Sequence, residues 1–183
     1  VWAADELRSA VAAVEAVGLD VHIHAIGDAA IRAALDALAA SPERRNPRRR
    51  PTIAHVQVLN PADVGRFAEL GVTANLEPLW ACWDACQRDL TAPRLGPVRT
   101  AQQYPIRGLL DVGANVSFGT DWPVTDYHPM TCAARAVTRA EPDGESLVPE
   151  QRIGPTEALL AATLGVARQV GETGWGHLSL GRR

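Results

Sequence analysis

Lysine is absent from this chain, because all 18 of its basic residues are arginine. Without a lysine amine, the chain cannot form a Schiff base with a carbonyl compound. It also cannot supply the lysine of a phosphate-binding P-loop or a carbamylated lysine that bridges two metal ions. These uses of lysine are therefore excluded for the 183 residues of the chain.

Cysteine is scarce, since the chain holds only Cys82, Cys86 and Cys132. Three cysteines in a chain of this length do not indicate a disulfide framework, and we expect a reducing, cytoplasmic location. Cys82 and Cys86 form a CxxxC pair, which is poor evidence for structural zinc without a second pair. No apolar run approaches the roughly 20 residues of a membrane span, so we predict no membrane association.

The net charge of -3 and the pI near 5.9 argue against nucleic-acid binding, which needs a basic face. The one basic cluster, at residues 44–50, is interrupted by Asn46 and Pro47. We interpret this cluster as a solvated loop. A phosphate or polyanion site in the same segment is the less favoured alternative.

Four short, apolar segments rich in β-branched residues alternate with segments of helical periodicity, in a chain that is 46% hydrophobic. The predicted strands are residues 19–26, 52–58, 72–76 and 115–118. This alternation is typical of βαβ units and predicts an α/β fold with a parallel sheet. Four such units make half of an eight-stranded (β/α)8 TIM barrel, and we expect residues 1–183 to form this one partial domain.

Between the third and fourth strands, residues 77–102 lose all periodicity and are predicted to form a long irregular excursion. Excursions of this length are usually functional or mobile. Trp80 and Trp83 lie in it, and Trp122 follows the fourth strand. The three indoles could line an apolar pocket at the barrel mouth, and simple core packing is an equally good interpretation of each.

Three polar residues fall at the carboxyl ends of predicted strands, where barrel enzymes place their chemistry: His24, His55 and Asp121. Alternation directs His22 and His24 to one side, so this pair could chelate a metal ion or consist of hydrogen-bonded core histidines. Adjacent parallel strands lie about 4.8 Å apart, which would let His24 and His55 reach one ion. For Asp121 taken alone, the favoured interpretation is an ordinary turn residue that caps a neighbouring amide.

Several sequence stretches in the same order resemble amidohydrolase family 3 of the amidohydrolase superfamily, in the branch similar to N-substituted formamide deformylase. They include His-Ala-Ile-Gly-Asp-Ala-Ala-Ile at 24–31, Ala-His-Val-Gln at 54–57 and Phe-Gly-Thr-Asp-Trp-Pro-Val at 118–124. The closing segments at 155–159 and 176–181 also resemble the family. The resemblance covers nearly the whole chain and implies that it carries strands five to eight of the catalytic barrel.

This resemblance implies that His24 and His55 are the metal ligands of the fifth and sixth strands. Asp121 would be the aspartate of the eighth strand, which binds metal and carries protons as the catalytic residue. The implied cofactor is a divalent metal, most often zinc, as one or two ions in the full-length enzyme. The implied reaction is hydrolysis of a non-peptide amide or formamide C–N bond in a small molecule by metal-activated water. Asp28 would cap the following helix or support a ligand, and capping is preferred.

The chain lacks the family's first-strand HxH pair, its fourth-strand bridging residue and its small β-domain, which we expect to lie outside its ends. We therefore expect the isolated chain to be an inactive fragment of the enzyme. The alternative is a non-catalytic or truncated metal-binding half-barrel. Either form leaves two open sheet edges, so we expect self-association or completion by the missing N-terminal half or a partner chain.

Overall fold

The computed structural model describes residues 2–180, in which strands and helices alternate. The strands are β1 (His22–Ala25), β2 (Thr52–His55), β3 (Thr73–Leu76) and β4 (Val116–Phe118). The helices are α1 (Ala4–Ala16), α2 (Asp28–Ala39), α3 (Val64–Leu70), α4 (Ala92–Thr100), α5 (Ile106–Asp111), α6 (Pro129–Thr138), α7 (Pro155–Leu160) and α8 (Val166–Gln169). At least one helix therefore separates each pair of successive strands.

The four strands form one parallel sheet in the order β1-β2-β3-β4. This arrangement confirms the predicted α/β fold and places the carboxyl ends of all four strands along one edge. The strands are shorter than predicted, most clearly β2, which ends at His55 instead of residue 58. The reason is that His55 and Val56 have positive φ values of 74° and 47°, which turn the chain away from the strand direction.

The register gives the sheet one apolar and one polar face. Ile23, Ile53, Ala74 and Val116 share a row and belong to the hydrophobic core or pack against it, together with apolar side chains of α2, α3 and α5. The next row on the opposite face holds His24, Ala54, Asn75 and Ser117. Successive residues of a strand point to opposite faces, so the helices cover the first row and the second faces the barrel interior.

The excursion after β3 contains more regular structure than predicted. A short 3-10 helix, Pro78–Trp80, is followed by a π-helical segment, Gln87–Thr91, that runs into α4. The expectation that residues 77–102 are irregular throughout is therefore wrong. The prolines lie at irregular points of this helical stretch, since Pro93 lies at the junction of the π-helical segment with α4 and Pro97 directly follows a kink at Gly96, where φ is 70°.

The assigned helices are short, with 13 residues in α1 and 12 in α2. A helix that crosses a bilayer needs about 20 predominantly apolar residues. Across residues 2–180, no helix has the length and apolar character that a membrane span requires.

A glycine lets the C-terminal helical segment approach β4 closely. The carbonyl of Val116 meets Gly165, where a Cβ atom would overlap that oxygen. Asn115 Nδ2 donates to the Gly165 carbonyl at 3.1 Å and to Thr73 Oγ1 at 3.0 Å. Gly165 is thus needed for close packing between the helical segment and the last strand of the sheet.

Candidate metal centre

His24 and His55 meet at the carboxyl ends of β1 and β2, with ring centroids 4.4 Å apart and ring planes inclined by 70°. Register alone would direct them to opposite faces, because His24 pairs with Ala54 and His55 pairs with Ala25. The left-handed backbone at His55 interrupts the alternation and accompanies the contact between the rings. The predicted proximity of the two histidines is therefore found, and their ligation of one ion stays a prediction.

Glu77 holds His55 from the neighbouring strand. It directly follows β3, is 2% exposed, and its Oε2 lies 3.0 Å from His55 Nδ1. A histidine whose Nδ1 hydrogen-bonds to a carboxylate presents its Nε2 as a metal ligand in a fixed orientation. The hydrogen bond to Glu77 raises the pKa of His55 against the opposing effect of burial, and the charges of Glu77 and Asp121 raise it further.

Glu77 is the residue at this site that the sequence interpretation missed. It stands at the carboxyl end of the third strand, the same position that drew attention to His24, His55 and Asp121. Its position at a strand end could have identified Glu77 as a candidate. It was overlooked because it is the first residue of a segment without periodicity.

Trp80 fixes the other side of His55. Its indole stacks on the imidazole with centroids 5.7 Å apart and planes 9° from parallel. His55 therefore contacts Trp80 in a stacked arrangement and His24 in an edge-on arrangement. Trp83 is half-buried and packs against the core, whereas Trp122 is 66% exposed. Of the three tryptophans expected near the mouth, Trp80 is the one whose ring stacks on the histidine pair.

Asp121 follows β4 through Gly119 and Thr120 and is exposed, with a φ of 53°. Its charge contributes to the raised pKa of His55, yet within residues 2–180 its carboxylate has no hydrogen-bond partner. Gly119 lets this turn pass the site, since a Cβ there would lie 3.1 Å from Asn75 Oδ1 and 3.6 Å from Glu77 Oε1. The structure thus places Asp121 at the same end of the sheet as the histidine pair, without direct contact.

Asp28 does not occupy the cap position that the sequence suggested. Gly27 is the N-cap of α2, and Asp28 is the first helical residue. Its carboxylate accepts a hydrogen bond from Ala29 N–H and pairs with Arg99 at 2.8 Å. Arg99 lies in α4, a segment that the sequence interpretation treated as irregular, so the ion pair between Asp28 and Arg99 was not predicted. His22 is exposed, and its role stays open.

The cysteines are free thiols, as expected for Cys82 and Cys86. Cys82 is buried, its Sγ lies 3.3 Å from Glu141 Oε1, and burial raises its pKa to about 12. Cys86 is exposed. The two thiols therefore lie in different surroundings, since Cys82 is in contact with Glu141 and Cys86 faces solvent.

The donor set at the carboxyl edge fits part of a metal site. Two imidazole groups in contact, one oriented by a buried carboxylate, suit zinc or a similar divalent ion. A catalytic zinc site has about three protein ligands. In the part of the chain that the structure describes, no three His, Cys, Asp or Glu residues are arranged to hold an ion. A complete site at this place needs at least one further ligand.

Comparison with known proteins agrees with this architecture. The sequence pattern of the amidohydrolase family matches residues 2–183. The chain belongs to the amidohydrolase family. It is 36% identical over 169 residues to the protein LONG AFTER FAR-RED 3 of Arabidopsis thaliana, covering 90% of this chain and 28% of that protein. It is 27% identical over 169 residues to N-substituted formamide deformylase of Arthrobacter pascens, covering 91% and 31%.

Among solved structures, an uncharacterized metal-dependent hydrolase of Pyrococcus furiosus superimposes with a TM-score of 0.81 at 25% identity. The superposition covers 100% of this chain and 36% of that one. The amidohydrolase chain thus spans about a third of the length of these relatives. The similarity confirms the predicted α/β fold class, a partial barrel of the type found in metal-dependent hydrolases.

Proposed function

We propose that this amidohydrolase chain forms the C-terminal part of the active site of a metal-dependent hydrolase that cleaves C–N bonds in small amides or formamides. The observation that carries the proposal is the contact between His24 and His55, with Glu77 on His55 Nδ1. This arrangement leaves the Nε2 atom of His55 available to a metal ion beside a second imidazole. The relative named N-substituted formamide deformylase supports the substrate class.

In this proposal, His24 and His55 hold a divalent ion, for which zinc suits the imidazole donors best. The ion would polarise the scissile carbonyl and lower the pKa of the attacking water. Glu77 orients His55, and Trp80 restricts its ring through stacking. Asp121, at the same end of the sheet, would be a further ligand when the ion is bound, and the remaining ligands would come from the N-terminal half of the barrel.

Asp121 is the proposed proton carrier. An amine is too basic to leave without a proton, so C–N cleavage needs a group that takes a proton from water and donates it to nitrogen. The Asp121 carboxylate is exposed and near enough to influence the pKa of His55. It would therefore accept the proton of the attacking water and transfer it to the departing nitrogen.

The test is hydrolysis by the full-length protein of an N-alkyl formamide, an N-aryl formamide, an acetamide and a dipeptide. We expect turnover of a formamide or acetamide that a chelator abolishes and added Zn²⁺ restores. Metal-loaded protein that cleaves none of the four compounds would contradict the proposed substrate class. Turnover that persists after all metal has been removed would contradict the proposed mechanism.

A second candidate function, a metal-binding half-barrel that requires a partner chain, is favoured by one observation. Residues 2–180 lack a set of three ligands, which suggests that this chain alone cannot complete the site. We propose that the site is completed by the N-terminal half of the barrel, and that an isolated chain self-associates through its open edges. The free thiols fit a cytoplasmic location.

A comparison of the isolated 183-residue chain with the full-length protein distinguishes these two functions, because only the first predicts amide hydrolysis by the full-length protein. We expect it to hydrolyse amides inefficiently, because a partial ligand set leaves the ion poorly held and the pocket open to water. Efficient turnover by the purified chain, with light scattering showing a monomer, would contradict the need for a partner.

A further inference from the structure

Arg139 is a fully buried arginine at the end of α6, with 0% exposure and a φ of 52°. Its guanidinium donates to three backbone carbonyls: Nε to Leu147 at 2.6 Å, Nη1 to Tyr104 at 2.9 Å and Nη2 to Gln103 at 3.0 Å. Burial lowers its pKa to about 10, so the group is still charged at neutral pH. Within residues 2–180 it forms no salt bridge, and a buried charge without a counter-ion is costly.

Two of the residues bonded to Arg139, Gln103 and Tyr104, also form hydrogen bonds to the segment that follows His55. Tyr104 N–H donates to the Gln57 carbonyl at 2.7 Å. The side chain of Gln57 donates from Nε2 to Gln103 Oε1 at 2.9 Å, and Val58 forms an isolated antiparallel bridge with Gln103. Gln103 is 0% exposed and Tyr104 is 1% exposed, so water does not compete strongly for these hydrogen bonds.

The segment held in this way contains the left-handed turn that brings His55 to His24. Both His55 and the buried, β-branched Val56 have positive φ values, a strained conformation that persists only when its surroundings enforce it. On one side, Val56 N–H donates to the Ala25 carbonyl of β1 at 3.2 Å. On the other side, the enforcing contacts are those between Gln57 and the pair Gln103–Tyr104.

We propose that Arg139 is a positioning residue for the metal centre. Through Gln103, Tyr104 and Gln57 it stabilises the left-handed turn at His55, and so keeps the His55 imidazole against His24. Arg139 also ends α6, the first helix after Asp121 in the sequence. The relation to metal binding rests on the proposed function, whereas the stabilisation of the turn does not.

The experiment uses the full-length protein with Arg139→Lys, Arg139→Met and Gln57→Leu. Lysine keeps the charge but lacks the planar fork that reaches three carbonyls. Gln57→Leu interrupts the same connection at its other end. The matched control is Arg152→Met, because Arg152 is exposed and binds the Thr138 carbonyl and Ser146 without contacting Gln103 or Tyr104.

Two quantities are measured: amide hydrogen exchange in residues 55–59, and the spectrum and dissociation rate of bound Co²⁺. We expect exchange in residues 55–59 to accelerate at least about tenfold in the folded Arg139 variants and in Gln57→Leu. We expect Co²⁺ to dissociate about 10- to 100-fold faster, with altered visible absorption bands. Arg152→Met should match the wild type in both measurements.

A purely structural role would lower the unfolding temperature without changing either quantity in the folded protein. The proposal is overturned if Arg139→Lys and Gln57→Leu leave both exchange in residues 55–59 and the Co²⁺ spectrum unchanged. If the Arg139 variants do not fold, Gln57→Leu decides by the same two measurements. A wild-type protein that binds no Co²⁺ would overturn the proposed function, and exchange in residues 55–59 would still decide the role of Arg139.

Discussion

Both ends of the sheet contain backbone with positive φ, but the residues that adopt this conformation differ between the two ends. The chain enters strands from the amino-terminal side through glycines with positive φ: Gly18 at 86°, Gly71 at 65° and Gly113 at 78°. It leaves on the carboxyl-terminal side through residues with side chains in the same conformation: His55 at 74°, Val56 at 47° and Asp121 at 53°. Glycine adopts positive φ without steric cost, whereas other residues do not.

This difference indicates which end serves the fold and which serves chemistry. At the amino-terminal end the backbone conformation alone matters, and glycine supplies it. At the carboxyl-terminal end two of the three residues, His55 and Asp121, carry groups that the proposed reaction needs, so their side chains are kept despite the strain. Charges follow the same division: Asp20 near the amino-terminal end pairs with Arg49, whereas the Asp121 carboxylate, among the described residues, has no hydrogen-bond partner.

The largest expected effect comes from Asp121→Asn in the full-length enzyme. Asparagine keeps the size and one oxygen of aspartate but cannot accept the proton, so kcat should fall by at least about 10²-fold. Metal content should fall less than kcat. Steady-state kinetics with metal analysis check this, and the exposed Asp126→Asn in the same loop is the control. A near-normal kcat would contradict the proposed role of Asp121 as proton carrier.

A smaller effect tests the comparison itself through exchanges at the two ends. Gly113→Ala should destabilise the protein by about 1 kcal/mol, because its φ of 78° is unfavourable for alanine. No steric clash adds to this cost, since no atom lies within 4 Å of the added Cβ. Asp121→Gly should change stability by less than about 0.5 kcal/mol, because relief of strain offsets the added freedom of the unfolded chain. Unfolding midpoints check both changes.

Gly65→Ala is the matched control for these exchanges, since Gly65 lies inside α3 without a positive φ and an added Cβ would meet only Glu69 Oε1 at 3.7 Å. It should be neutral or slightly stabilising, because alanine favours a helix. If Gly113→Ala is tolerated as well as Gly65→Ala, the positive φ values at the amino-terminal end carry no requirement for glycine, and the contrast between the two ends fails.

The smallest expected effect is a shift in the titration of His55 in the metal-free protein. Its pKa is raised mainly by the hydrogen bond to Glu77, so Glu77→Gln should lower it, whereas exposed Glu69→Gln should not. The folded-state pKa lies above 6.5, so the pair stabilises the fold below that pH, and the contribution is lost as pH rises through the raised pKa. NMR titration of the imidazole checks the shift, and an unchanged pKa in Glu77→Gln would contradict the assigned hydrogen bond.

The sequence was sufficient to predict the order of elements, the parallel sheet and the placement of His24 and His55 near the carboxyl ends of neighbouring strands. These depend on local periodicity and on the rule that strand ends of a parallel sheet lie together. The end of β2 was not predictable in the same way. A β-branched valine at position 56 favours a continuing strand, and its left-handed conformation is imposed by contacts from Ala25 and from residues near 103 in the sequence.

Glu77 and Arg139 were missed for a related reason. Glu77 precedes a segment without periodicity, and its role depends on His55, 22 residues away in the sequence. Arg139 follows an amphipathic helix, where an arginine usually lies in solvent. Its burial depends on carbonyl groups of residues 103 and 104, which are separated from it by 36 and 35 positions. Contacts of this range leave no signal in local sequence pattern.

The measurement that tests the central claim most directly is the metal content of the full-length protein and of three variants: His24→Ala with His55→Ala, His55→Ala alone, and His22→Ala. His22 lies on the same strand as His24 and is exposed, so its variant is the matched control. We expect bound zinc to be lost in the double variant, reduced in His55→Ala and unchanged in His22→Ala. Zinc retained undiminished in the double variant would contradict the account, because the histidine pair would then not hold the ion.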